Sequence, residues 1–117
     1  MRLQKMRAFS YNLRVNMKEI IGSKFDPKDY PVAIVDFWAD WCMPCKMLLP
    51  VITKLSQEMP NVTFLKANVE ENSELARQHG ISSIPALVIF KNGQVVEKMT
   101  GVQKESKIQE ALQRASL

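Results

Sequence analysis

The first part of the chain alternates between hydrophobic and polar positions. Leu13, Val15 and Met17 are separated by single polar residues, and Phe9 and Tyr11 extend the pattern upstream. A period of two predicts a strand with one buried face. We therefore expect a first strand here, at an edge of a sheet.

A nearly continuous apolar run follows at residues 32–38. Its sequence, Val32-Ala33-Ile34-Val35-Asp36-Phe37-Trp38, is typical of a strand that is covered on both faces. Between the two strands, residues 17–25 contain enough apolar positions to predict a short helix or turn. Asp26-Pro27 and Tyr30-Pro31 interrupt this connection.

Three later segments have apolar residues at helical spacing, and three have the character of strands. The predicted helices are Cys42–Met59, Glu71–His79 and Lys104–Ala115. The predicted strands are Val62–Val69, Ala86–Lys91 and Gln94–Thr100, and Asn92-Gly93 predicts a hairpin between the last two. The order β-α-β-α-β-α-β-β-α predicts an α/β fold with a central mixed sheet flanked by helices on both faces.

Length and composition favour one globular domain. The chain has 117 residues, of which 46% are hydrophobic and 24% charged. No apolar run approaches the roughly 20 residues of a membrane span, so we expect no membrane association. The net charge of +4 is concentrated in residues 1–18, which carry five basic and no acidic residues, while the remainder is close to neutral. We interpret this segment as a solvated extension and expect no nucleic-acid partner.

The candidate chemistry lies in Trp41-Cys42-Met43-Pro44-Cys45-Lys46, directly after the apolar run. A strand delivers the first cysteine to the start of a helix, where unpaired N–H groups and the helix dipole stabilise a thiolate. The thiolate attacks disulfides, and a second thiol one turn later can close a ring with it. The motif therefore predicts a dithiol that cycles between reduced and oxidised forms.

Other interpretations of two cysteines at this spacing fit less well. A structural zinc site usually has four ligands, and the only further candidate is the distant His79, which we interpret as a surface residue at a helix end. Haem attachment requires histidine directly after the second cysteine, where Lys46 stands. A purely structural disulfide would close a very short loop. We expect no metal and no cofactor, since a phosphate-binding glycine loop is also missing from the sequence.

Several segments resemble the thioredoxin family, in the family's order and spacing. These are Val35-Asp36-Phe37-Trp38-Ala39, Trp41-Cys42-x-Pro44-Cys45-Lys46, Pro50, Lys66-x-Asn68-Val69, Gly80-Ile81-x-x-Ile84-Pro85, Phe90-Lys91-Asn92-Gly93 and Gly101. The resemblance begins near residue 13. It therefore implies a basic N-terminal extension over residues 1–12 and a domain of the thioredoxin fold over residues 13–117.

The resemblance implies a role for each matching residue. Cys42 is expected to be the nucleophile and Cys45 the resolving thiol, with Asp36 as the carboxylate that helps to deprotonate Cys45. Lys66 is expected to modulate Asp36, and Pro44 to influence the reduction potential. The implied substrate-docking residues are Trp41, Ile84 with its backbone, and a cis Pro85.

Two expectations rest on individual residues. A carboxyl group inside an apolar strand is desolvated, so we expect a raised pKa for Asp36, which suits proton transfer near neutral pH. Met43 occupies a position where the family usually has glycine, so we expect it to tune the reduction potential. Ala86 likewise replaces the threonine that is common after the cis proline.

The implied activity is reduction of protein disulfides by a monomer, with an NADPH-dependent thioredoxin reductase as electron donor. Two alternatives remain open: a disulfide isomerase or oxidase of the same fold, and a non-catalytic binding subunit. Both cysteines belong to one motif, which favours a reducing compartment and a cytoplasmic location. A mitochondrial location follows instead if residues 1–12 are a targeting piece.

Overall fold

The computed structural model describes residues 17–21 and 24–117. The strands are β1 (Met17–Glu19), β2 (Val32–Trp38), β3 (Thr63–Asn68), β4 (Ala86–Lys91) and β5 (Gln94–Thr100). The helices are α1 (Met43–Glu58), α2 (Ser73–Gln78) and α3 (Glu105–Ala115), and a 3-10 turn at Pro27–Asp29 precedes β2. No helix in this part of the chain is long and apolar enough to cross a bilayer.

The five strands form one mixed sheet in the order β1-β3-β2-β4-β5. β1, β3 and β2 are parallel, whereas β4 is antiparallel to β2 and β5 is antiparallel to β4. Parallel neighbours need a crossover, which α1 supplies between β2 and β3. The predicted α/β class and central mixed sheet are therefore confirmed.

The two faces of the sheet carry separate hydrophobic cores. Val32 and Ile34 of β2 pack with residues of α1 and α3, including Leu48 and Ile108. The intervening positions of β2 pack on the other face with Ala76 of α2. Alternate residues of a strand point to opposite faces, so β2 contributes to both cores and is covered by helices on both sides, as predicted.

The prediction for residues 17–25 is wrong at its start. Met17–Glu19 is a strand, β1, and the backbone N–H of Ile20 continues its pairing by donating to the Lys66 carbonyl at 2.7 Å. Pairing with β3 thus determines the conformation of a segment whose own pattern is ambiguous. The predicted strand residues Leu13 and Val15 and the extension 1–12 lie outside the described residues.

The end of α2 also differs from expectation. His79 is not a simple surface residue, because its ring is partly buried with its centroid 5.3 Å from that of Phe90 and 6.4 Å from that of Phe37. Burial, and to a lesser extent the charge of Lys98, lowers the pKa of His79. The environment therefore disfavours the charged imidazolium that would complement the helix dipole.

Candidate active site

The turn after β2 places Cys42 at the start of α1. Cys42 is the N-cap residue, with an extended backbone, and its Sγ accepts the N–H of Cys45 at 3.2 Å. Pro44 lies in the first turn, where its missing N–H leaves no hydrogen bond unmade. The sulfur of Cys42 therefore occupies the place of a polar N-cap side chain, next to free N–H groups that favour negative charge.

Cys42 and Cys45 are joined by a disulfide, with their Cα atoms 5.3 Å apart. Both cysteines are only 4% exposed. In contrast, Trp41 is 67% exposed and Met43 is 64% exposed. A substrate must therefore contact the side chains around the disulfide before it can reach a sulfur atom.

Asp36 lies behind the cysteines, on the face of β2 that α1 covers. It is 2% exposed, and its Oδ1 has no hydrogen-bond partner within the described part of the chain, nor has the buried Nε1 of Trp38. Asp36 shares a cavity of about 170 Å³ with Cys45. The other lining residues are Trp38, Lys46, Leu49 and Lys66. The structure thus brings the buried carboxyl group and the second cysteine to one small cavity.

The pKa of Asp36 is raised to about 7. Burial is the main cause, since an ionised carboxylate loses its hydration there. The positive charge of Lys66 acts in the opposite direction, and the negative charge of Glu19 adds a smaller increase. At neutral pH both forms of Asp36 are therefore populated, so the group can accept a proton and release it again.

Lys66 stands opposite Asp36 in the pairing of β2 with β3. Its Nζ lies 4.4 Å from the centroid of the Trp38 ring, in a cation–π contact. It makes no ion pair within 4 Å with any residue that the structure describes. Its ammonium therefore influences Asp36 through space and not through a direct salt bridge.

The Ile84–Pro85 peptide bond is cis, as the resemblance implies. Ile84 packs against the buried cluster of Ala39, Cys42 and Cys45. Neither its N–H nor its carbonyl takes part in any hydrogen bond between described residues. These two groups are therefore available to pair with an extended chain beside the disulfide.

A shallow depression of about 380 Å³ adjoins the disulfide on this side. Its lining residues are Trp41, Val69, Ile81, Ser82, Ser83 and Ile84. The Nε1 of Trp41 donates to Glu70 at 3.0 Å, which orients the indole over the depression. Glu70 could not be predicted from sequence, because only the folded chain brings residues 41 and 70 together.

All nine sequence-predicted site residues thus meet at one end of the sheet. Glu19 was not predicted as a site residue either. It lies in the same cross-strand row as Asp36, with Lys66 between them. Its only sequence signal is the period-two pattern around β1. Within residues 17–21 and 24–117, no group of three or more acidic, histidine or cysteine side chains is placed to hold a metal ion.

Comparisons with known proteins agree on one family. The family model described as Thioredoxin matches residues 18–114. Thioredoxin of Rickettsia felis is 42% identical over 92 residues, which cover 78% of this chain and 82% of that protein. Thioredoxin of Bacillus subtilis is 43% identical over 84 residues, which cover 71% of this chain and 81% of the relative.

Solved structures give the same result. A mutant thioredoxin from Halobacterium salinarum has a TM-score of 0.81 at 32% identity, covering 86% of this chain and 91% of that one. Oxidised mitochondrial thioredoxin 3 of Saccharomyces cerevisiae has a TM-score of 0.80 at 28% identity, covering 87% of this chain and 98% of that one.

Proposed function

The chain belongs to the thioredoxin family and is a thiol–disulfide oxidoreductase that acts on protein disulfides, and we propose that it works as a reductant. One observation carries the proposal: Cys45 and the buried Asp36 line the same small cavity. A resolving thiol needs a base to release it, and a carboxyl group with a pKa of about 7 supplies one at neutral pH.

The first half of the reaction belongs to Cys42. Its thiolate, stabilised at the start of α1, attacks one sulfur of the substrate disulfide. The bond between the two substrate sulfurs breaks, and the departing thiolate takes a proton from water. The product is a mixed disulfide between Cys42 and the substrate.

The second half belongs to Cys45 and Asp36. The Asp36 carboxylate accepts the proton of the Cys45 thiol, and the new thiolate attacks Sγ of Cys42. The mixed disulfide breaks, the substrate leaves as its second thiolate, and Cys42 and Cys45 become a disulfide. Two electrons have moved from the dithiol to the substrate, and Asp36 returns its proton to solvent.

Substrate docking is assigned to the residues around the shallow depression. An extended substrate chain is proposed to pair with the free N–H and carbonyl of Ile84, next to the cis Pro85. Trp41 supplies exposed apolar surface to the same depression. Backbone pairing of this kind accepts many sequences, which suits an enzyme that acts on disulfides in different proteins.

The family in general uses a thioredoxin reductase as electron donor. For this chain we propose that an NADPH-dependent flavoprotein reductase is the electron donor. We also propose that the protein is a monomer and that it is located in the cytoplasm. We further propose that residues 1–12 form an extension to a domain over residues 13–117. The location is supported by the use of both cysteines in one redox motif.

The proposal is tested by reduction of insulin disulfides together with a redox titration of the Cys42/Cys45 pair against glutathione. A reductant accelerates insulin reduction, and the reduction potential of its Cys42/Cys45 pair lies well below that of an oxidising glutathione buffer. A variant with both cysteines replaced by serine serves as the control and is expected to be inactive. A strongly oxidising potential would instead indicate an oxidase or isomerase, and full function of the serine variant would indicate a binding subunit.

A further inference from the structure

A third charged residue, Glu19, belongs to the same row of side chains as Asp36 and Lys66. β3 lies between β1 and β2, and Lys66 pairs with Glu19 on one side and with Asp36 on the other. Aligned residues in adjacent strands point to the same face of a sheet. Adjacent strands are about 4.8 Å apart, so the two acidic residues stand roughly 10 Å apart with the lysine between them.

The surrounding cavities connect these residues with solvent. Glu19 and Lys66 line an open groove of about 750 Å³ between β1 and α1. Lys66 also lines the smaller cavity beside Asp36, and so do Lys46 and Leu49, which border both spaces. Glu19 is exposed in the groove while Asp36 is buried in the cavity, so Lys66 stands between a solvated carboxylate and a desolvated one.

The ammonium group of Lys66 is not committed to either acidic residue. It lies over the ring of Trp38 and within 4 Å of neither carboxylate. The other charged group that lines this cavity within the described residues is Lys46 of α1, and Cys45 of the same helix becomes ionisable once the disulfide is reduced. On the remaining side β4 places the apolar Leu87 beside Asp36. The electrostatic environment of Asp36 is therefore set by the opposing charges of Lys66 and Glu19.

We infer that Glu19 is a positioning residue for disulfide exchange, which opposes the charge of Lys66 and keeps Asp36 able to take the proton of Cys45 near neutral pH. The electrostatic directions agree, because Glu19 raises the pKa of Asp36 and Lys66 lowers it. The inference rests on the proposed role of Asp36 as the base for Cys45.

The test uses Glu19→Gln, which removes the charge and keeps the shape. Carbon-detected NMR titration of the Asp36 carboxyl follows its protonation directly. Single-turnover resolution of a mixed disulfide, measured from pH 5 to 9, follows the reaction. We expect Glu19→Gln to lower both midpoints by about 0.5 pH unit, and by less at high salt, because salt screens the exposed carboxylate.

Three further variants identify the route of the effect. Glu19→Asp keeps the charge and should retain the parent midpoints. Glu110→Gln removes the same charge from an exposed position on α3, outside both cavities, and should change neither midpoint. Lys66→Met should raise both midpoints, because it removes the cation that favours the ionised form of Asp36, and Glu19→Gln should still lower the midpoints in that background.

The possible outcomes are distinct. Unchanged midpoints in Glu19→Gln overturn the inference, and an equal shift in Glu110→Gln also overturns it, because the effect would then not depend on the position of Glu19. If the NMR midpoint moves while the resolution rate does not, Asp36 is not the base, and the proposed mechanism fails together with the inference. If neither midpoint responds to Glu19 but resolution still follows the titration of Asp36, the mechanism stands and only the role of Glu19 is lost.

Discussion

The two faces of β2 belong to one strand but have different chemistry. On the face toward α2, the side chains of Ala33, Val35 and Phe37 are fully buried in an apolar core. On the face toward α1, the same packing continues through Ile34 and is then interrupted by Asp36. The first face has no polar side-chain atom to satisfy, whereas on the second a buried carboxyl oxygen has no partner within the described residues.

The difference separates stability from catalysis. The α2 face stabilises the fold by burying hydrocarbon, and this contribution does not depend on pH. On the α1 face, Asp36 lowers the stability of the folded protein, because an ionised carboxyl group there is desolvated. The same desolvation raises the pKa of Asp36 to about 7 and makes it a usable base. Substitutions on the α2 face should therefore lower stability and leave activity unchanged, whereas replacing Asp36 on the α1 face should raise stability and lower activity.

The largest effect on activity is expected from the cysteines. Cys42→Ser should abolish insulin reduction, because no nucleophile remains for the first attack. Cys45→Ser should still attack but should accumulate a stable mixed disulfide, which mass spectrometry detects as a one-to-one adduct. Adduct formation by Cys42→Ser in place of Cys45→Ser would reverse the assigned roles.

The largest effect on stability is expected on the α2 face. Phe37→Ala removes a completely buried ring and should lower the free energy of unfolding by about 3–5 kcal/mol. Urea denaturation at pH 7 measures this loss, and Val35→Ala on the same face should lose less. The folded fraction should keep its rate of insulin reduction. A large loss of activity at full folding would show that the α2 face takes part in the reaction.

Asp36→Asn should raise the free energy of unfolding relative to the parent, and the size of this gain should depend on pH. The folded pKa of Asp36 is about 7 against an ordinary value of 3.8, so the folded state binds this proton more tightly. Relative to Asp36→Asn, the parent should therefore lose stability as the pH rises from about 4 to about 7, by about 4 kcal/mol in total, and should lose no more above pH 7.

Urea denaturation of both oxidised proteins at pH 4, 5.5, 7 and 8.5 measures this difference. All other titrating groups are shared, so the comparison isolates Asp36. Parallel stability profiles would mean that the carboxyl group is not desolvated in the folded protein.

The smallest effect is expected at Met43, whose side chain is 64% exposed at the first position of α1. Met43→Gly should lower stability by about 0.4–1 kcal/mol, because glycine increases the entropy of the unfolded chain. It should shift the reduction potential measurably but by no more than about 30 mV, or about 1.4 kcal/mol, with insulin reduction retained. Equilibration with glutathione measures the potential. An unchanged potential would exclude Met43 as a tuning residue.

Much of the fold follows from local patterns. The predicted bounds of β2, β4 and β5 agree with the structure, since an uninterrupted apolar run and an Asn-Gly hairpin are signals within short segments. The prediction for α1 extended by one residue at each end, to Cys42 and Met59, because both cap the helix. The raised pKa of Asp36 also follows from its apolar neighbours in sequence.

The missed features depend on register between distant segments. The edge strand predicted from the alternation that ends in Met17 is present as β1, but its continuation through residues 18 and 19 follows from pairing with residues 64–66, which no pattern inside residues 17–25 contains. The same pairing places Glu19 beside Lys66. Trp41 can donate its hydrogen bond to Glu70 only once β3 has paired with β2. The residues of the site motif could thus be predicted from sequence, whereas the charged neighbours that adjust them could not.

The central claim is that Asp36 is the base for Cys45, and the pH dependence of one reaction step tests it most directly. A mixed disulfide is formed on Cys42, and its resolution is followed by stopped flow from pH 5 to 9 in the parent and in Asp36→Asn. We predict that the parent rate rises with a midpoint near 7, as Asp36 ionises, and that Asp36→Asn resolves more slowly and lacks this midpoint. Equal rates and an identical pH profile in the two proteins would contradict the account.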